Sequence, residues 1–194
     1  VDLLAAHQLK QGLLMALWQR DRSGEGAVVR VNLLDAALAA LANQATNYLV
    51  GGVVPQPMGS EHPNIVPYGS IYRTADGAAV VLAVGTDKQF AALAEILAWS
   101  LPVQWSTNAL RVQHRAEVNA VLGDLIAAWN ADALLAACAK RHVPAGRVHT
   151  MSEAMALAEA RGLLLDGEGL QGVRTVVFAP KRHDLLPPPA FDLA

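Results

Sequence analysis

The chain has 194 residues, 53% of them apolar and 16% charged, with a formal charge of −2 at pH 7 and a pI near 6.3. That is enough length and apolar content for one domain with a sizeable core, or one and a half, and it excludes a disordered chain. The near-neutral balance carries no electrostatic footprint for nucleic acid, and the lone cysteine, Cys138, excludes an internal disulfide and fits a reducing cytoplasm.

The longest apolar run is broken by Asp35, Asn43 and Asn47. It falls well short of the ~20 residues a membrane span needs. Val1 to Leu14 has neither the basic start nor the small-residue cleavage site of a signal peptide. The chain opens directly on a helix start without an initiator Met, so it is expected to be an internal piece of a longer protein.

Apolar residues at Leu9, Leu13, Ala16 and Leu17, with basic residues gathering towards Arg20, predict a helix over 3–20. Asp2 reads as its N-cap, a side-chain oxygen accepting from a first-turn N–H. Residues 21–26 form a turn in which Gly24 and Gly26 can supply positive φ angles. Residues 27–31 read as a short buried strand. Residues 34–49 follow as a helix apolar nearly all round, which belongs in a core or a subunit interface.

Glycine and proline then recur from Gly51 to Pro67. A stretch of that length without periodicity is a linker or a functional loop. Ser70–Thr74 and Ala79–Val84 flank Ala75-Asp76-Gly77, a hairpin signal. Thr86 or Asp87 caps a helix with Phe90, Leu93, Ile96 and Leu97 on one face. Helices follow at about 109–128 and 131–141, the second capped by Asn130 or Asp132. An extended break comes at 143–148, then a short helix to about Arg161. A last strand over 172–178 leads to Lys181-Arg182-His183 and the stiff run Pro187-Pro188-Pro189.

Val1-Asp2-Leu3, the long apolar helix, Arg20-Asp21-Arg22-Ser23-Gly24-Glu25-Gly26, the Val-rich stretch and Leu33-Leu34-Asp35-Ala36-Ala37 together resemble the core of the class III CoA-transferases. So do Met58-Gly59-Ser60-Glu61-His62-Pro63-Asn64-Ile65-Val66-Pro67-Tyr68, Thr74-Ala75-Asp76-Gly77, Val84-Gly85-Thr86-Asp87-Lys88-Gln89-Phe90, Ser106-Thr107-Asn108-Ala109 with Arg111, Val143-Pro144-Ala145-Gly146, and the ending from Gly172 to Pro189. Each motif is weak alone, but these six follow the opening in the right order, and the match covers nearly the whole chain. Two departures stand out. Ala5-Ala6 replaces the Thr-Gly that many members carry after the aspartate, and Arg147 stands where proline is common.

The resemblance implies an α/β protein: part of a Rossmann-like large domain with an inserted small α+β domain. On that reading 1–50 is a large-domain segment carrying the catalytic aspartate, 51–150 is linker and small domain, and 151–194 returns to the large domain. It implies that Asp2 is the nucleophile and that Gly59, Ser60, His62 and Tyr68 belong to a loop over the substrate. Acyl-CoA and a carboxylic acid are the implied substrates, with coenzyme A as substrate rather than cofactor. The implied partners are a second copy, in an interlocked homodimer, and a missing N-terminal section that carries most of the CoA surface. No nucleic acid or membrane partner is implied.

Other motifs weigh less. Gly167-Glu168-Gly169-Leu170-Gln171-Gly172 spells G-x-G-x-x-G, but a dinucleotide site needs a helix after it and here a β-branched stretch follows. His7, His62, His114, His142, His149 and His183 show no ligand spacing, so no metal is expected. His62 favours a loop-shaping hydrogen bond over direct chemistry, since no partner for a base is identifiable. No serine or cysteine sits in a nucleophile elbow.

An aspartate suits the chemistry. A carboxylate attacking an acyl-CoA gives a mixed anhydride that keeps the reactivity of the thioester, whereas a serine ester would lose much of it. Its reference pKa of ~3.9 leaves it ionised without an adjacent base. Two rivals remain. The racemase branch of the same superfamily carries a glutamate after the hairpin where this chain reads Thr86-Asp87-Lys88, one residue shorter, which favours the transferase. The other rival is a non-catalytic fragment, and these 194 residues alone are expected to be inactive.

Overall fold

The structure, a computed structural model, describes residues 1–160, 162–167 and 170–173. The chain divides into two compact units, Val1–Pro57 and Met58–Ala194. Among the described residues both sheets are antiparallel and the elements mix helix and strand.

The first unit is helical. Helix α1 runs over Asp2–Ser23, three residues beyond the expected end, and closes on Gly24 at φ 76°. Gly24 alone takes the left-handed conformation here; Gly26 does not. The expected strand over 27–31 does not form, because a strand needs a neighbour for its N–H and C=O groups and none among the described residues pairs with it. The segment lays Val29 against Gly12, where a Cβ would lie 2.6 Å from a Val29 methyl. The expected helix over 34–49 is two helices, α2 (Leu33–Ala39) and α3 (Ala42–Gly51). They are broken where Ala42 takes φ 46°. Asn32 caps α2 by accepting from the Asp35 N–H at 2.8 Å.

The burial expected for that helix is not reached within the chain. Leu34, Leu38, Leu41 and Leu49 are 67, 55, 47 and 78% exposed, and Ala36 is the buried residue of the unit. One long and two short helices are too few to cover their own apolar faces.

The second unit holds the core. Strands β1 (Tyr68–Arg73), β2 (Ala79–Ala83) and β3 (Ala145–Arg147) form an antiparallel sheet in the order β1-β2-β3. Alternation decides which faces go in: Ser70 and Tyr72 of β1 and Val80 and Leu82 of β2 are buried, while Ile71 and Arg73 are exposed. The hairpin turns at Ala75-Asp76-Gly77 as expected, with Gly77 at φ 78°. Helix α4 (Asp87–Ile96) starts on a capping box between Thr86 and Gln89 and buries Phe90 and Leu93.

The expected helix over 109–128 is again two. Helix α5 (Asn108–Gln113) and α6 (Arg115–Ala127) are hinged at His114. Helix α7 (Ala131–Lys140) begins after Asn130, whose side chain does not cap it. Asp76 of the hairpin does so instead, accepting from the Ala131 N–H at 3.3 Å. The hydroxyl of Thr74 also donates to Asp76 at 2.5 Å and, as the leading cause, holds its carboxyl below the usual range. Asp132, the other expected cap, accepts from Arg147 at 2.7 Å.

Helix α8 spans Met151–Ala160, and β4 (Leu164–Gly167) pairs antiparallel with β5 (Leu170–Val173). The described residues of the G-x-G-x-x-G spelling, Gly167 and Leu170 to Gly172, therefore lie in paired strands. The rest of the expected last strand, the basic run at 181–183, the Pro run and most of the expected return to the large domain lie outside the described residues. No single helix among the described residues is long and apolar enough to cross a membrane.

Cys138 is 1% exposed on α7, and burial pushes its thiol up to about 11 from 9.0. The folded state thus favours the neutral thiol. That contribution to stability is complete below pH 9 and is lost as pH rises through about 11. A thiol reagent at pH 8 is expected to modify Cys138 only after denaturation; rapid labelling of the native protein would contradict the burial.

Candidate active site

Asp2 lies in the first unit and the loop residues Gly59, Ser60, His62 and Tyr68 lie in the second. Asp2 is not the N-cap that its sequence position suggests. Val1 takes that role without a side-chain bond, and Asp2 is the first helical residue. Its carboxylate is exposed and is not consumed by capping. The first intrahelical bond runs from the Ala5 N–H to the Val1 carbonyl at 3.0 Å. The N–H groups of Leu3 and Leu4 therefore have no acceptor within the helix and point out of its N-terminus.

The loop over 58–69 is closed on itself and then fastened to α5 and α6. The Ser60 hydroxyl donates to the Gly69 carbonyl at 2.7 Å, and the His62 N–H donates to the Tyr68 carbonyl at 2.8 Å. Gly69 is required at this crossing. It sits at φ 80°, and a Cβ there would lie 2.0 Å from the Ser60 carbonyl oxygen. The ring of His62 meets Tyr68 edge-on at 5.4 Å between centroids. Its Nδ1 accepts from the Asn64 N–H at 3.1 Å, the loop-shaping bond expected for it, and this acceptor role puts the proton of the neutral ring on Nε2.

Sequence reasoning missed the residues that hold this loop. Asn108, next to the Thr107 cap, accepts from the Val66 N–H at 3.1 Å and donates to the Asn64 carbonyl at 2.7 Å. Arg111, fully buried, donates to the carbonyls of Val66 (2.9 Å), Trp105 (3.0 Å) and Ser106 (3.2 Å) and to Asp87 (2.7 Å). Its guanidinium also lies 4.1 Å from the centre of the Phe90 ring. Arg115 donates to the His62 and Pro63 carbonyls at 3.0 and 2.8 Å and pairs with Glu61 at 3.3 Å.

Asn119 donates to Glu61 at 2.7 Å and accepts from the Tyr72 hydroxyl at 2.8 Å. Burial pushes the Tyr72 phenol above its ordinary range, so it stays a neutral donor. The sequence offered little signal for these roles: Arg111 and Arg115 stand four residues apart, but on two helices separated at His114. From Ser60 onward the loop is tied by these bonds, and Gly59, at φ 66°, has open space where a Cβ would go.

The sequence profile of CoA-transferase family III matches residues 1–184. The chain belongs to CoA-transferase family III. It is 40% identical over 182 residues to the succinate–glutarate CoA-transferase of Agrobacterium fabrum, covering 87% of this chain and 45% of that protein. Over 159 residues it is 36% identical to the succinyl-CoA–D-citramalate CoA-transferase of Chloroflexus aurantiacus, covering 78% and 38%. A crystal structure of a CAIB/BAIF family protein from Brucella suis matches with a TM-score of 0.64 at 37% identity, covering 87% and 45%. Rv3272 of Mycobacterium tuberculosis, at 23% identity, a TM-score of 0.74 and coverage of 90% and 46%, shares the fold. The chain thus spans under half the length of these relatives.

Family membership gives the two departures a context. Ala5 is half-buried and Ala6 exposed in the first turns of α1. Arg147 lies on strand β3, at the end of the order β1-β2-β3 among the described residues, and pairs with Asp132. An edge strand tolerates arginine and proline alike.

Proposed function

We propose that this chain carries the nucleophile and the substrate loop of an enzyme that transfers coenzyme A between carboxylic acids. The family match carries the reading, because it runs through residues 1–184 and so includes Asp2 and the loop in one frame. Relatives named as succinate–glutarate and succinyl-CoA–D-citramalate CoA-transferases make dicarboxylic acids the substrates of choice.

In the proposed reaction the Asp2 carboxylate attacks the thioester carbonyl, the C–S bond breaks, and CoA thiolate leaves a mixed anhydride. The thiolate then attacks the aspartyl carbonyl, releasing the donor acid and leaving an aspartyl thioester. The acceptor carboxylate attacks that thioester, giving a second anhydride and freeing thiolate again. Attack of thiolate on the acceptor's acyl carbon forms the new acyl-CoA and returns Asp2. The anhydride must be kept from water. Gly59 admits close approach of substrate, and Ser60, His62 and Tyr68 contact the acyl group.

The racemase reading is disfavoured by the engagement of Asp87, which stands near the place of that branch's glutamate and is bound to the buried Arg111 at 2.7 Å. We assign residues 1–50 and 151–194 to a Rossmann-like large domain and 51–150 to linker and small domain. The working protein on this reading is a cytoplasmic homodimer that includes an N-terminal section with most of the CoA surface. The exposed leucines of α2 and α3 support a covering partner.

The test incubates the longer protein, this chain together with the proposed N-terminal section, with succinyl-CoA and glutarate and follows glutaryl-CoA by chromatography. Residues 1–194 alone are expected to give none, and a separately expressed N-terminal section to restore exchange on mixing. Turnover by residues 1–194 alone would refute the need for that section. Loss of an α-proton from a 2-methylacyl-CoA in deuterated water, without transfer, would replace the transferase with a racemase.

A further inference from the structure

We infer that Arg115 is a positioning residue for the acceptor acid, acting through Glu61 and the loop; this rests on the transferase reading above. Arg115 projects from the first turn of α6 and spends its guanidinium on three groups of one loop: the His62 and Pro63 carbonyls and the Glu61 carboxylate. Both partners of the ion pair are largely out of solvent, with side chains 18 and 28% exposed. Such pairs feel each other far more than surface pairs do.

Glu61 stands between Ser60 and His62, two residues assigned to substrate contact. Its charge is placed where it would repel a dicarboxylate. Arg115, with Asn119 (2.7 Å) and the Ser70 hydroxyl (3.3 Å), draws that carboxylate inward against β1 and α6 and balances its charge. The same guanidinium fixes the backbone on which His62 stands. One side chain therefore both sets the loop and removes the negative charge from the acceptor's path.

The experiment is steady-state kinetics of the longer protein, this chain with the proposed N-terminal section, using succinyl-CoA and glutarate, on wild type, Arg115→Met, Glu61→Gln and the double variant. Arg115→Met leaves Glu61 uncompensated, so the KM for glutarate is expected to rise about tenfold while the KM for succinyl-CoA stays within about twofold. Glu61→Gln removes the charge and keeps one acceptor oxygen, for Asn119 and Ser70, while its NH2 gives up the pairing with Arg115, so the glutarate KM should stay level or fall. The double variant should return to within about threefold of wild type.

A parallel rise of both KM values, or a double variant no better than Arg115→Met, overturns the inference. Where Arg115→Met does not fold, Glu61→Gln decides by itself, since a tenfold rise in its glutarate KM is the opposite sign. A wild type without any exchange overturns the transferase reading. The hold on the loop is then read from amide exchange at His62, which Arg115→Met should speed about tenfold. Unchanged exchange there overturns the hold as well.

Discussion

Asp2→Ala in the longer protein is expected to lower acyl exchange below about 1% of wild type, because in the proposed mechanism the Asp2 carboxylate forms the anhydride. The fold should be left intact. Asp2 is exposed, and the N-terminus of α1 is not capped by its side chain. The loss of stability should therefore stay within the 1 kcal/mol or so that a carboxylate at a helix start contributes. Hydroxylamine added to wild type during turnover should trap the acyl-enzyme as an aspartyl hydroxamate, seen as a mass change on the peptide holding Asp2. An alanine variant that keeps more than a few per cent of activity would remove Asp2 from the mechanism. The contrast with a stability defect is what makes the test sharp.

The largest structural effect is expected at Arg111. Arg111→Met keeps most of the volume but strips donors from the carbonyls of Val66, Trp105 and Ser106, at a cost of about 1–3 kcal/mol for each acceptor left dry. With partial relaxation the total should reach about 3–5 kcal/mol. For a unit of this size that is a fall of about 10 °C or more in Tm. The ion pair to Asp87 is the smaller part, since the Asp87 side chain is 52% exposed and returns to water when its partner goes. Asp87→Asn should accordingly cost less than about 1 kcal/mol. Urea melts of both variants decide between the two contributions. Equal losses would mean that the charge pair dominates, and a loss below 1 kcal/mol for Arg111→Met would mean that water replaces its hydrogen bonds.

Local chemistry was readable wherever a residue's partner lies a few positions away. The Ala75-Asp76-Gly77 hairpin, the Thr86 cap with Gln89, the buried face of α4 and the Gly24 helix end all formed as their sequences dictate, because each is settled by backbone φ angles and near neighbours. Membership of CoA-transferase family III was readable for a related reason: ordered motifs survive in the sequence whether or not their contacts are known.

What required the tertiary structure were the partnerships across many residues. Asp76 caps a helix 55 positions on, Arg111 reaches back 45 positions to Val66, and Arg115 reaches back 53 to His62. The break at His114, which no glycine or proline announces, lets α5 aim Arg111 into the core and α6 aim Arg115 at the loop. The missing strand over 27–31 has the same origin, because β-branched composition favours extension but only a neighbouring strand completes the hydrogen bonds. By itself the sequence determined the local turns, caps and faces, and the family. Only the tertiary structure decided which polar groups would satisfy one another, since a buried donor takes whichever acceptor the packing brings within about 3 Å.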